Sequence, residues 1–246
     1  MNSLILAIQF LTRIPVPVRS TFNEKEAGKS LFWFPWISLV MGLIVGYAHE
    51  LTFDGYPILS AFLSLAVMYA LSGAIHLDGL MDTADGFLAG KDTERTIEIM
   101  HDSKIGTYAV VSVLFVLLGN YSVFASVPMG AVEVGILFAS ARMGILTVIH
   151  FFPAIKASTL GTLFKRRAVK RVYGLQWVLL VALILILRDA RFLVFPGVSI
   201  VFAVLFGRHA LKKIGGVSGD IFGAVMELEQ WILLLLYGGF YSWLFI

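Results

Sequence analysis

Seven stretches of this chain are apolar enough to sit in a lipid bilayer, and no water-soluble fold could bury that many. They are residues 31–50, 57–77, 107–127, 131–152, 174–187, 192–206 and 221–246. A helix needs about 20 apolar residues to cross the hydrocarbon core, and only helices or closed barrels satisfy their backbone hydrogen bonds there. Runs of this length predict an all-α, polytopic membrane helix bundle of about seven transmembrane helices. Composition agrees: the chain is 59% hydrophobic and only 14% charged, where soluble domains have roughly 45–50% and 25%. Two spans are irregular, since 174–187 is short unless it reaches into the 188–191 turn, and 192–206 is interrupted by Pro196-Gly197.

Other details fit a membrane setting. Trp33 and Trp36 form an interfacial belt at the start of the first span, and Gly42 and Gly46 are spaced for close helix contact. The amino-terminal run in MNSLILAIQFLTRIPVP is too short to cross. It lacks a basic leader and a cleavage site, so it reads as an interfacial or partly inserted segment rather than a signal peptide. Cysteine is absent, which excludes disulfides, thiolate nucleophiles and Cys-based zinc sites.

Orientation follows from Lys and Arg, which concentrate in cytoplasmic loops. Of 19 such residues, four precede the first span, three lie in the polar segment after the second, six in 153–173 and three in 207–220. Only Arg188 and Arg191 fall in the opposite turns, and Arg142 lies inside a span. The count predicts a cytoplasmic amino terminus and an outer carboxyl terminus.

Chemistry concentrates on that inner side. The stretch His76-Leu77-Asp78-Gly79-Leu80-Met81-Asp82-Thr83-Ala84-Asp85-Gly86 stands where the second span meets water. On a helix Asp78, Asp82 and Asp85 fall at i, i+4 and i+7 and share one face. Like charges so close call for a cation, and an all-oxygen set favours a hard ion such as Mg²⁺. A solvated helix end whose acids merely cap it is the plain alternative.

Further along, Asp102 is a further metal ligand, a hydrogen-bond acceptor or a helix cap with Ser103, and Lys104 a phosphate cation or a positive flank. Gly215-Gly216-Val217-Ser218-Gly219-Asp220 opens the last span. A Gly-rich turn entering a helix offers backbone N–H groups to a phosphate, although Asp220 there could cap the helix itself or ligate a cation. Arg142 and Glu227 are charges at bilayer depth, costing about 2.5–3.5 kcal/mol each, and need partners. His76 is a general base, a metal ligand or simply a hydrogen-bonded boundary histidine. These parts suit metal-dependent phosphoryl transfer.

The motifs resemble the cobalamin synthase family, the adenosylcobinamide-GDP ribazoletransferases. The resemblance rests on Gln9-Phe10-Leu11-Thr12-Arg13-Ile14-Pro15-Val16-Pro17, on His76-Leu77-Asp78-Gly79 through Asp85-Gly86, on Met100-His101-Asp102-Ser103-Lys104-Ile105-Gly106, and on Gly216-Val217-Ser218-Gly219-Asp220 with Gly223-Ala224. His101 stands where the family usually has Lys or Arg, and Ser218 where it has Thr. The resemblance implies one ribazoletransferase domain over 1–246, with an active-site loop 76–106, a basic loop 153–173 and a Gly-rich loop 207–220. It implies Mg²⁺-dependent attack of α-ribazole, or its 5′-phosphate, on adenosylcobinamide-GDP with release of GMP, at the cytoplasmic face of a bacterial inner membrane. On this reading Asp78, Asp82, Asp85, Asp102 and Asp220 bind metal, Asp85 and His76 act in catalysis, and Lys104, Arg142, Ser103 and Gly219 bind substrate. The bilayer is a partner, nucleic acid is not, and self-association is left open. The basic loop would hold GDP or anionic lipid.

Two rivals are weighed. A CDP-alcohol phosphotransferase also arranges carboxylates on membrane helices, and Asp82-Thr83-Ala84-Asp85-Gly86 fits its opening, but Phe87-Leu88-Ala89-Gly90 lacks the Ala-Arg that should follow. A transporter would use Glu133, Arg142 and Glu227 along a path, yet the acidic motif occurs once and no inverted repeat is visible.

Overall fold

A computed structural model describes residues 2–17, 24–155, 158–188 and 190–245; Arg19 and Lys156 of the basic segments lie outside the described residues. The helices are α1 (Asn2–Leu11), α2 (Glu24–Ser30), α3 (Phe34–Phe53), α4 (Pro57–Ser72), α5 (Ile75–Ala89), α6 (Thr93–Met100), α7 (Thr107–Ser126), α8 (Ala131–Phe151), α9 (Thr159–Arg167), α10 (Lys170–Leu187), α11 (Val194–Ile214) and α12 (Gly219–Phe245). Among the described residues no strand forms. One backbone bridge, Ala154 with Val217, ties the end of α8 to the turn before α12.

Six of these helical segments are long and apolar enough to cross a membrane, seven if the bent pair of α4 and α5 counts as one span. The bundle is built on α8, which is buried from Val134 through His150 and packed by α3, α11, α12 and α10. Close approach of α3 depends on the small residues expected there: a methyl at Gly42 would lie 2.6 Å from the Val134 carbonyl oxygen, and one at Gly46 2.7 Å from the Ala131 Cα.

Three expectations are corrected. The second span does not run straight to residue 77. It stops at Ser72, the chain turns through Gly73 and Ala74, both at positive φ, and α5 leaves at 91° to α4. The left-handed conformation costs a residue with a Cβ roughly 1–2 kcal/mol, so surrounding contacts must hold it; one is the Arg13 amide, which donates to the Leu71 carbonyl at 2.8 Å. The polar segment 76–106 is accordingly two helices and a short connection, with α5 lying across the end of the bundle.

The interruption expected at Pro196-Gly197 does not occur. Pro196 falls in the first turn of α11, where its missing N–H has no intrahelical partner to lose. Helix α11 then continues to Ile214, so most of 207–220 is helix. Likewise the basic loop contains α9, and α10 begins at Lys170, giving an 18-residue crossing.

Candidate active site

Laid across the bundle end, α5 turns its acidic face toward the connection between α6 and α7. Between them lies a cavity of about 430 Å³ walled by Asp78, Asp82 and Asp85 of α5, by His101, Asp102, Ser103 and Lys104 of the connection, and by Asp220 of α12. The i, i+4, i+7 reading of the three aspartates is therefore correct, and a fourth carboxylate joins them from the far end of the sequence.

What lets Asp220 reach them is a crossing of backbones. A methyl on Gly79 would lie 2.8 Å from the Asp220 carbonyl oxygen, and one on Gly223 would lie 2.9 Å from that of His76. Real Cβ atoms do not tolerate such separations. With hydrogen at both places α5 and α12 touch, and Asp78 and Asp82 stand beside the first turn of α12.

Asp220 does not spend its carboxylate capping that helix. Ser218 does so, its hydroxyl accepting from the Ile221 N–H at 3.3 Å and donating to Asp220 Oδ2 at 3.3 Å. The Asp220 carboxylate lines the cavity.

Asp85 is placed differently from its two helix mates. Its Oδ2 accepts from the Gly106 N–H at 2.6 Å and its Oδ1 from the Ala109 N–H at 2.9 Å, so a carboxylate of α5 caps α7 from outside. Gly106 must lack a side chain, because a methyl there would lie 2.5 Å from Asp85 Oδ1. Both oxygens are thus engaged in fixing the start of α7 and the connection preceding it.

That connection is also held from within. Asp102 Oδ1 accepts from the Lys104 N–H at 3.1 Å, a local turn that leaves the exposed Lys104 side chain on the rim. Helix α6 is capped by Asp92, which accepts from the Arg95 N–H at 2.8 Å. It is clasped to α11 by Thr93, donating to the Lys213 carbonyl at 2.9 Å, and by Lys213, donating to that of Gly90 at 2.6 Å.

Three of the residues expected in the site are elsewhere. His76 is buried with its ring 6.0 Å from that of Phe10, behind the acidic face and outside the cavity wall. Its Nε2 is buried without a hydrogen-bond partner. Arg142 is buried inside the bundle, its Nε donating to Ser38 at 2.9 Å and its Nη1 to the Met226 carbonyl at 3.4 Å. Gly219 opens α12 but does not line the cavity. Conversely, spacing alone passed over His101 on the wall, Gly79 and Gly223 at the crossing, and the fully buried Glu229, which accepts from Ser199 at 2.8 Å. Its tell was a further acid two residues after Glu227 within a membrane span. Glu227 accepts from Tyr69 at 3.4 Å, and Glu133, in the first turn of α8, pairs with Arg188.

The cavity's electrostatics are one-sided. Asp82 stands in the field of Asp78, Asp220 and Asp85, and among the described residues none of the wall carboxylates is in an ion pair. Hard oxygen donors with surplus negative charge fit a divalent ion such as Mg²⁺. Among the described residues no group of three or more His, Asp or Glu side chains is drawn together as a complete ion cage. Mg²⁺ seldom asks for one, since it keeps waters and takes substrate phosphates beside one or two carboxylates.

Known proteins resemble this chain along nearly its whole length. The family model described as cobalamin-5-phosphate synthase matches residues 3–238. A Clostridium acetobutylicum protein named adenosylcobinamide-GDP ribazoletransferase is 36% identical, with 94% of each chain covered. Proteins of the same name from Pseudomonas aeruginosa and Treponema denticola are 35% and 31% identical, covering 96% and 95% of this chain and 97% and 96% of their own. No solved structure matches. With a family model matched over nearly the whole chain and full-length relatives above 30% identity, this chain belongs to the cobalamin-5-phosphate synthase family.

Proposed function

We propose that this protein is an adenosylcobinamide-GDP ribazoletransferase, acting at the cytoplasmic face of a bacterial inner membrane. The ribose hydroxyl oxygen of α-ribazole, or of its 5′-phosphate, bonds to the cobinamide-side phosphorus of adenosylcobinamide-GDP. The bond from that phosphorus to the bridging oxygen breaks, GMP leaves, and the hydroxyl proton passes to a wall carboxylate or to water. The product is adenosylcobalamin or its 5′-phosphate. The observation that carries the reading is the convergence of Asp78, Asp82 and Asp220 on one cavity, in a chain whose full-length relatives bear that enzyme's name.

One or two of Asp78, Asp82 and Asp220 would hold Mg²⁺ beside the substrate's phosphate oxygens, and the ion would supply charge neutralisation to the diphosphate and the departing GMP. Lys104 and Ser103 hold phosphate oxygens from the facing wall. His101 takes the place of the family's usual Lys or Arg and serves the same anion. Asp85 is a positioning residue, since its oxygens fix the strip that carries these three side chains. A cavity of about 430 Å³ admits the diphosphate and its immediate neighbours, so the corrinoid lies outside, along the membrane surface. Arg142 belongs to the bundle and not to the substrate.

The test is an assay of the purified protein in lipid vesicles with adenosylcobinamide-GDP and α-ribazole. Release of GMP that requires both substrates and stops with a chelator is expected. Failure to release GMP with either α-ribazole or its 5′-phosphate would remove the assignment.

A further inference from the structure

At the same end of the bundle as the acidic cavity, a second groove runs between α2 and the start of α10. Its rim is cationic, with Lys25, Lys29 and Arg167, and its floor is apolar, with Phe32, Val172 and Leu175; its volume is about 340 Å³. None of these residues belongs to the reaction site. We propose that the groove binds one anionic phospholipid, its headgroup phosphate on Lys25 and Arg167 and an acyl chain along the floor.

Three observations support that occupant. The charge is lopsided: Lys25, Lys29, Lys165, Arg166, Arg167, Lys170 and Arg171 face only Glu24 and Glu26 across α2, α9 and the first turn of α10. Glu24 is taken by Arg166 and Glu26 by Lys29, which leaves Lys25 and Arg167 without a carboxylate in an ion pair among the described residues. The groove is also built rather than adventitious, because the fully buried Gln176 donates from α10 to the Leu31 carbonyl at 2.8 Å and so pins the chain just after α2. Finally, the polarity is graded in the direction of a lipid. Cations sit at the membrane boundary and aliphatic side chains lie below them along a spanning helix, the arrangement by which basic pockets between membrane helices recognise anionic headgroups. A free phosphate or a nucleotide would have no use for Leu175 and Val172.

The experiment is native mass spectrometry of the full chain, delipidated in detergent and titrated with phosphatidylglycerol, cardiolipin or phosphatidylethanolamine. One retained anionic lipid is expected, with phosphatidylethanolamine binding at least tenfold weaker. The exposed pair Lys25→Glu with Arg167→Glu should weaken the anionic lipid at least tenfold, whereas Lys91→Glu with Lys212→Glu, of equal charge change elsewhere on this face, should not. Leu175→Gln should weaken the lipid while leaving the cations in place. The proposal is overturned if the two double variants lose lipid equally, if phosphatidylethanolamine binds as well, or if inorganic phosphate or GMP displaces the lipid. All of these readouts are independent of catalysis.

Discussion

The bundle carries a polar cavity at each end, similar in size and opposite in meaning. The one at the far end, about 460 Å³, is lined by Glu50, Asp54, Glu133, Arg188 and Arg191 among aromatic residues. There one acid has a cation and another an amide: Glu133 pairs with Arg188, and Glu50 accepts from the Ala131 N–H at 3.2 Å, steadying the first turn of α8. At the acidic end, about 430 Å³, Asp78, Asp82 and Asp220 converge without an ion-pairing cation. Charge that the fold settles internally is architecture, and charge left unsettled is held for something that arrives.

This comparison can be broken in order of expected effect. Asp78→Asn, Asp82→Asn and Asp220→Asn should each cut the rate of GMP release by about 10²-fold or more. In chelator, Asp82→Asn should melt no lower than wild type, because it removes like-charge repulsion. Loss of rate together with loss of stability would make the acidic end architecture too. Next, Gly79→Val should force α5 off α12, and a displacement of about 1 Å at a reacting centre costs on the order of 10²-fold; initial rates in vesicles and the helical content of the same sample check it. A smaller effect, about tenfold, is expected for Gly106→Ala and Asp85→Asn alike, with the Mg²⁺ concentration for half-maximal rate unmoved in both. A shift of that concentration in Asp85→Asn alone would return Asp85 to the metal. Smallest is Arg188→Gln at the opposite end, which should lower stability by about 1 kcal/mol and leave the rate unchanged.

Much of the architecture was legible because a bilayer imposes length. Runs of about 20 apolar residues announce themselves, and the acidic face on α5 followed from helical spacing alone. The break between α4 and α5 was not legible, because Ala74 carries no signature of a left-handed backbone and only its neighbours hold it there. Asp85 shows the limit of spacing arguments. It shares a face with Asp78 and Asp82, yet the open end of α7 reaches it first, since unpaired helix N–H groups seek a carboxylate. Arg142 and His76 were misplaced for a related reason: a charged or titratable residue near a membrane boundary reads as functional until Ser38, Met226 and Phe10 are seen beside it. Asp220 could not be told from a helix cap until Ser218 was found in that role.

The central claim is that carboxylates from α5 and α12 attend one divalent ion. Mn²⁺, an oxygen-seeking stand-in for Mg²⁺, can be titrated into the purified protein and the free ion followed by electron paramagnetic resonance in wild type, Asp82→Asn, Asp220→Asn and Arg188→Gln. One bound ion in wild type and Arg188→Gln, and its loss in both Asn variants, is the result expected. Retention of the ion by both Asn variants, or its loss in Arg188→Gln, would contradict the account.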